Sequence, residues 1–348
     1  MKVKKIAIVR LSALGDVVLL VPTVRVLQRC WPDAEITWIT SNPAGMILQN
    51  LSGVEIKLID KPKSPADYWR LWRNFGSYRF DVLLCMQASL RTNLIYPLIS
   101  ATRKIGFDKK RGRDGHRWFV REQIEYREEH LLDGFMGFAQ HLGVNDCRLE
   151  WNLALESGHH DFASENLGED CWVAINPSAS KAERNWCTGQ FVELIAKIKS
   201  RWRVNVVLTG GPNMREVNVA SVIAQRVDVL NLVGKTSPKQ LAAVLQRVLV
   251  LIAPDTGPVH LAVAQQTPVV GLYAVARPEL SGPYGQLNHT VNRYPQAVRK
   301  FLHQECSAAD WHIRVHHRDA MALITVDAVI EKLAGILDCQ LVEAINVV

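Results

Sequence analysis

Asp255, Thr256, Gly257 and His260 fall between two apolar runs, at 248–253 and 269–273, in a chain of 348 residues. A carboxylate, a hydroxyl, a glycine and an imidazole so close together suit a phosphorylated ligand if they open a helix. Pro258 marks that opening, since proline at the first helical position gives up an N–H that would have no intrahelical partner. The helix predicted over 258–266 then offers free N–H groups and the positive end of its dipole to an anion. The turn reads as a diphosphate cradle flanked by Asp255 and His260. The competing reading has Asp255 and Thr256 capping the helix and His260 packed on the surface.

Three further turns carry reactive side chains. The first is Arg10-Leu-Ser-Ala-Leu-Gly-Asp16. It has only Gly15, so it is not a dinucleotide-binding G-x-G-x-x-G loop, and it lacks the G-K-[S/T] of a Walker loop. It sets Asp16 at a strand-to-helix junction, where the dipole keeps a carboxylate ionised and able to accept a proton. Helix capping is its rival role. The second turn, Pro177–Trp186, supplies Ser178, Ser180, Lys181 and Arg184, hydroxyls and cations suited to a phosphate leaving group. The third, Leu208-Thr-Gly-Gly-Pro-Asn-Met-Arg-Glu216, has Gly210 and Gly211 where a ligand could approach the backbone closely. No D-x-D, H-E-x-x-H or G-x-S-x-G motif is present. The His pairs 159–160 and 316–317 lack metal-ligand spacing and read as surface histidines.

The elements that must position these turns alternate. Strands are predicted at 6–11, 35–40, 81–86, 104–106, 172–176, 204–209, 229–232, 248–253 and 269–273. Helices are predicted at 17–30, 68–75, 90–99, 129–142, 189–200, 215–225, 238–245, 258–266 and 326–336. Such alternation implies parallel sheets with right-handed crossovers, and two such halves imply two doubly wound, Rossmann-like α/β domains. The expected boundaries are 1–155 and 171–325. The C-terminal helix and tail, 326–348, are placed to pack back toward the N-terminal domain. The polar stretch 153–170 reads as the linker. Two facing domains of this kind leave a cleft between their carboxyl edges, the usual place for a ligand. The 275–325 segment shows no regular pattern.

Bulk properties agree with a soluble globular protein: 48% hydrophobic and 22% charged residues. No apolar stretch reaches the roughly 18–20 residues of a membrane span, and the N-terminus lacks a signal-peptide cleavage site. Seven scattered cysteines, with no C-x-x-C pair, favour reduced thiols in a cytosol over a disulfide framework or a zinc site. The formal net charge is +7, and it is uneven. Lys57, Lys61, Lys63, Arg70, Arg73 and Arg79 cluster near Trp69 and Trp72. Arg103, Lys104, Lys109, Lys110, Arg111, Arg113, Arg117 and Arg121 form a second group. Such groups attract nucleic acid, an anionic membrane surface or an acidic glycolipid, or form a solvated basic face.

R-L-S-A-L-G-D-V-V, N-P-S-A-S-K-A-E-R-N-W, G-G-P-N-M-R-E and P-D-T-G-P-V-H, in that order, resemble glycosyltransferase family 9, the ADP-heptose:lipopolysaccharide heptosyltransferases. The resemblance covers nearly the whole chain. It implies a glycosyltransferase-B fold, an N-terminal acceptor-binding domain, a C-terminal nucleotide-sugar-binding domain and inverting transfer without a metal. Asp16 then matches the general base. Ser178, Ser180, Lys181, Arg184, Gly210, Gly211, Glu216, Asp255, Thr256, Gly257 and His260 would bind ADP-heptose as donor. Ser12, Gly15, Lys61, Lys63, Arg70, Arg73, Lys109, Arg111 and Arg113 would hold the anionic groups of a Kdo–lipid A acceptor. No cofactor is expected, and the implied location is cytoplasmic, peripheral on the inner membrane. Arg184 stands where lysine is common in the family, and Met214 where some members have an acid near the nucleoside. The alternative keeps the fold with another nucleotide-sugar, as transferase or epimerase. A nucleic-acid-binding module has the basic stretches but no supporting motif.

Overall fold

The computed structural model describes residues 3–307 and 310–346, which form two compact units, 1–154 and 155–348. The first contains β1 (Lys5–Val9), α1 (Leu14–Cys30), β2 (Glu35–Thr40), β3 (Val54–Leu58), α2 (Pro65–Phe75), β4 (Arg79–Cys85), α3 (Leu90–Asn93), β5 (Ser100–Gly106), β6 (Glu122–Gln123) and α4 (Leu131–His141). Its sheet runs β3-β2-β1-β4-β5-β6, with every pair parallel. Ile6, Ala7, Ile8 and Val9 of β1 are wholly buried, as a central strand covered on both faces requires.

The second unit contains α5 (Ser157–Leu167), β7 (Trp172–Ile175), α6 (Thr188–Trp202), β8 (Asn205–Leu208), α7 (Met214–Ala224), β9 (Leu230–Asn231) and α8 (Pro238–Arg247). It continues with β10 (Val250–Pro254), α9 (Gly257–Ala264), β11 (Val269–Tyr273), α10 (Pro278–Ser281), β12 (Val291–Asn292), α11 (Tyr294–Ala297) and α12 (Val326–Asn346). Its parallel sheet runs β12-β11-β10-β7-β8-β9. In each unit the first and fourth strands lie side by side at the centre, and the chain order reverses between them. Loops leaving the carboxyl ends of those two strands flank a crevice, where open α/β sheets bind ligands. In the first unit these are the loops after β1 and β4; in the second, those after β7 and β10.

Four expectations change. The 153–170 stretch is not a loose linker: α5 occupies most of it and buries Ala163 and Leu167. Its polar composition hides a helix with one narrow apolar side. The chain instead changes unit around Asn152 and Ala154, whose φ angles of 39° and 51° lie in the left-handed region. The helix expected over 90–99 is α3 followed by a short 3-10 turn at Tyr96–Leu98, because Pro97 cannot continue a helix. β3 was missed. It is an edge strand whose Val-Glu-Ile-Lys-Leu alternates, and it is too polar to stand out among buried strands. The C-terminal helix, expected to stand outside the second domain, is part of it. Val326, Val329, Leu333, Ile336 and Leu337 of α12 are buried in the core of the second unit itself.

Candidate functional site

In the first unit, β1 ends at Val9, Arg10 follows it, and the chain turns into α1 at Leu14, three residues before the expected start. Asp16 is therefore the third helical residue rather than the junction itself. Its Oδ2 accepts from the Ala13 N–H at 3.0 Å and from the Arg10 guanidinium at 2.5 Å. Arg10 also donates to the Met86 carbonyl at 2.6 Å and lies over the Phe135 ring. The loop after β4 answers from the other side: Gln87 Oε1 accepts from the Leu11 N–H at 2.8 Å. Asp16 thus caps its helix and is also held in one orientation by a fixed cation. Both contacts fall on Oδ2.

One cavity adjoins this turn, and a second neighbours that cavity. The first, of about 500 Å3, is lined by Leu11, Ser12, Gln87, Arg91, Lys61 and Lys63 among others. The other, of about 790 Å3, lies beyond the ends of β2 and β3 and shares Lys61 and Lys63 with it. Arg70 lines the larger one, beside its ion-pair partner Asp67. Burial, helped by the nearby Arg91 guanidinium, pulls the Lys61 ammonium below its ordinary pKa. Cations set together in a concave site fit an anion.

The rest of the expected acceptor set divides. Gly15 is buried inside the first turn of α1. Arg73 lies over the Trp69 ring on the outer side of α2. Lys109 and Arg113 are exposed. Arg111 is not available: it ion-pairs with Asp108 and Glu129, donates to the Glu125 carbonyl and is largely buried. Arg103 and Lys104 are likewise committed, to Glu122 and to the Tyr96 carbonyl. The basic run at 103–121 is thus partly a structural brace.

In the second unit the loops after β7 and β10 meet at a single ion pair. Arg184 Nη1 lies 2.9 Å from Asp255 Oδ2, with side-chain exposures of 13% and 11%. Asp255 also accepts from Ser281 Oγ at 3.5 Å, and the Tyr273 hydroxyl donates to the Ser281 carbonyl at 3.0 Å. Burial, with Asp255 close by, holds the Tyr273 phenol far above its ordinary pKa. Thr256 is the N-cap of α9, Gly257 its first residue, and no side chain caps the helix. The capping reading of this turn therefore gives way. Asp255 is engaged by Arg184, and the Thr256 side chain makes no cap hydrogen bond. His260 is buried within α9 rather than packed on the surface.

Ser178 is buried, and its hydroxyl has no partner among the described residues. The same holds for Thr209 Oγ1, at the end of β8, and for the Nε of Arg184. Buried polar atoms left so are uncommon and fit a ligand that would complete them. Ser180 and Lys181 are exposed on the same loop. Gly210 and Gly211 stand against the Glu216 side chain. A Cβ on Gly210 would lie 3.0 Å from the Glu216 carboxylate, which accepts from the Gly211 N–H at 2.7 Å. The glycines admit Glu216, and Glu216 fixes the turn. Among the described residues, no three His, Cys, Asp or Glu side chains group as metal ligands.

The sequence model of glycosyltransferase family 9 (heptosyltransferase) matches residues 68–312. The chain belongs to this family. A lipopolysaccharide core heptosyltransferase of Haemophilus influenzae, OpsX, is 33% identical over 331 residues, covering 94% of this chain and 95% of that protein. Among solved structures, a family 9 glycosyltransferase from Veillonella parvula superposes with a TM-score of 0.77 at 20% identity, covering 97% and 98% of the two chains. The Escherichia coli heptosyltransferase WaaC, solved with ADP, gives 0.73 at 17%, covering 95% and 99%. The fold is thus that of glycosyltransferase-B enzymes, and the protein is a glycosyltransferase of the heptosyltransferase family. Sequence reasoning had singled out Asp16, Arg184 and Asp255. It missed Arg10, Gln87, Arg91 and Thr209, although Arg10 and Thr209 each stand inside a turn already marked.

Proposed function

We propose that this chain is an inverting heptosyltransferase of the lipopolysaccharide core, with ADP-heptose as donor. The N-terminal unit would bind the glycolipid acceptor and the C-terminal unit the nucleotide-sugar. The observation that carries the reading is Arg184 beside the uncapped N-terminus of α9, at the strand crevice of the second unit. A cation and free backbone N–H groups together suit a diphosphate that gains charge as it departs. The full-length similarity to a lipopolysaccharide core heptosyltransferase supports the choice of sugar and acceptor.

In this mechanism Asp16 Oδ1 takes the proton of an acceptor hydroxyl while that oxygen attacks the anomeric carbon of the heptose. The new C–O bond forms on the face opposite the diphosphate, and the bond to the diphosphate breaks. One displacement inverts the centre and releases ADP. Arg10 is the positioning residue, since it fixes the carboxylate through Oδ2. Arg184 and the first turn of α9 stabilise the leaving group, and Ser178 and Thr209 complete the donor contacts. The reaction needs no metal in this reading, and the enzyme works at the membrane surface that carries its acceptor.

The test is transfer from ADP-heptose to a defined core acceptor, read by mass spectrometry, for the parent protein and for Asp16→Asn. Loss of the base is expected to lower kcat by about 100- to 10,000-fold while the melting temperature stays close to the parent's. Near-normal transfer by a folded Asp16→Asn protein removes the base assignment. If ADP-heptose is inert and another nucleotide-sugar is consumed, the donor assignment fails instead.

A further inference from the structure

Behind the Arg184–Asp255 pair lies a buried phenol that the transfer mechanism does not use. Tyr273 is the last residue of β11. Its ring lies back along its own strand, over Gly271. A Cβ at that glycine would come within 2.8 Å of the ring carbon Cε2 and 3.2 Å of Cδ2, so a side chain there would displace the ring. A glycine inside a strand marks a close approach of this kind. The Tyr273 hydroxyl donates to the Ser281 carbonyl in α10 at 3.0 Å, and the buried Ser281 Oγ donates to Asp255 Oδ1 at 3.5 Å. The helix that carries Ser281 is tied down at both ends. After it, the Gly282 N–H donates to the Pro278 carbonyl at 2.6 Å. Before it, Arg277 donates to the Cys306 carbonyl at 3.1 Å and lies over the Tyr294 and Trp311 rings.

Asp255 is therefore met on Oδ1 by Ser281 and on Oδ2 by Arg184. A carboxylate engaged at one oxygen can turn about its own axis; one engaged at both has its plane fixed. The guanidinium is a rigid planar fork, so holding Nη1 against a fixed carboxylate sets where its other nitrogens point. One of these, the Arg184 Nε, is buried with no partner among the described residues. A purely structural role for Tyr273 and Ser281, fastening α10 to β11, accounts for the bond from the phenol to the carbonyl. It does not account for a serine hydroxyl directed at a carboxylate that already has its cation. In a buried polar chain of this kind each bond orders the next.

We propose that Ser281, with Tyr273 behind it, is a positioning residue of the donor site: it acts through Asp255 to set the orientation in which Arg184 meets a diphosphate. The inference rests on the donor reading of Arg184 and names the buried groups that prepare that residue before any ligand arrives. Neither hydroxyl touches the substrate in this role. Both act at a distance, from α10 and β11 to the loop after β7.

The experiment uses the full-length protein with Ser281→Ala and with Tyr273→Phe, each of which deletes one hydroxyl and keeps the packing shape. Should Ser281→Ala fail to fold, Tyr273→Phe, one bond further back, carries the test. The first readout needs no ligand. The NMR resonance of the Arg184 Nε–H, identified by its loss in Arg184→Lys, is expected to shift in both variants, while that of Arg111 in the first unit stays in place. The second readout is calorimetric titration with ADP. Ser281→Ala is expected to weaken ADP binding about tenfold, and Tyr273→Phe less. Arg184→Lys keeps the charge but has no fork to orient, so adding Ser281→Ala to it is expected to change ADP affinity by less than about twofold. An unmoved Arg184 resonance overturns the proposal. So does an equal loss of ADP affinity in the parent and Arg184→Lys backgrounds, which is what general loosening of the site would give. A parent protein that ignores ADP fails the donor reading instead, and the resonance arm still decides whether Ser281 sets Arg184.

Discussion

At the scale of single residues, the Arg184–Asp255 pair has two separable roles. The pair is nearly buried, so each charge depends on the other for compensation. Arg184→Ala leaves the Asp255 carboxylate without its guanidinium and is expected to lower stability by about 2–4 kcal/mol. Arg184→Ala combined with Asp255→Ala removes both charges and is expected to recover most of that loss, but no transfer activity. Denaturant melts of the two single variants and the double variant give the coupling energy, and donor-saturation kinetics give the catalytic part. Additive stability losses would show that the ion pair has no structural role; recovered transfer in the double variant would remove Arg184 from the donor site. The sequence made both residues visible because each stands in a turn of unusual composition. It could not show that they touch, since 71 positions separate them along the chain. Arg10 illustrates the same limit: its importance lies in a contact with Asp16 that a strand-end arginine does not announce.

At the scale of elements, the βα alternation made most strands and helices legible, because strands covered on both faces read as continuous apolar runs. Elements stabilised by few apolar contacts were not. β3, β6 and α5 are short or polar, and tertiary pairing rather than local pattern decides them. The segment between β5 and β6 is another case, organised by a buried histidine. His116 Nε2 accepts from the Phe107 N–H at 3.1 Å, and its Nδ1 lies 2.8 Å from Asn93 Oδ1, an arrangement that needs the neutral ring. Burial lowers its pKa from 6.5 to about 4. The unfolded chain therefore takes up a proton below pH 6.5 that the folded chain refuses until about pH 4. Stability is expected to fall as the pH drops through that window, by up to about 3 kcal/mol from this group. In His116→Gln the protein should be weaker at neutral pH, yet its stability should decline less between pH 6.5 and 4. Urea melts across that range supply the comparison, and parallel pH profiles for parent and variant would dismiss the role given to His116.

At the scale of the whole molecule, two halves share one topology. Each has its own six-stranded parallel sheet, and the buried residues of each core cluster fall within one unit: 7–99 for one, 173–337 for the other. The duplication of rhythm was legible in the sequence, and the first unit ends within one residue of the expected position, while α5 and α12 extend the second unit beyond 171–325. A fragment of residues 171–325 would lack both helices. It would expose the side of α8 that α5 covers and strip the core of Val329, Leu333 and Leu337. The fragment 155–348 retains them, and is expected to unfold in one cooperative transition. If the donor site lies wholly on its loops, this fragment binds ADP within about tenfold of the full chain's affinity. The fragment 1–154 should bind none. Calorimetric titration of both fragments and the full chain measures this directly. A well-folded 155–348 that ignores ADP, beside a full chain that binds it, would mean that the first unit supplies donor contacts. The strict division of substrates between the two sheets would then have to be abandoned.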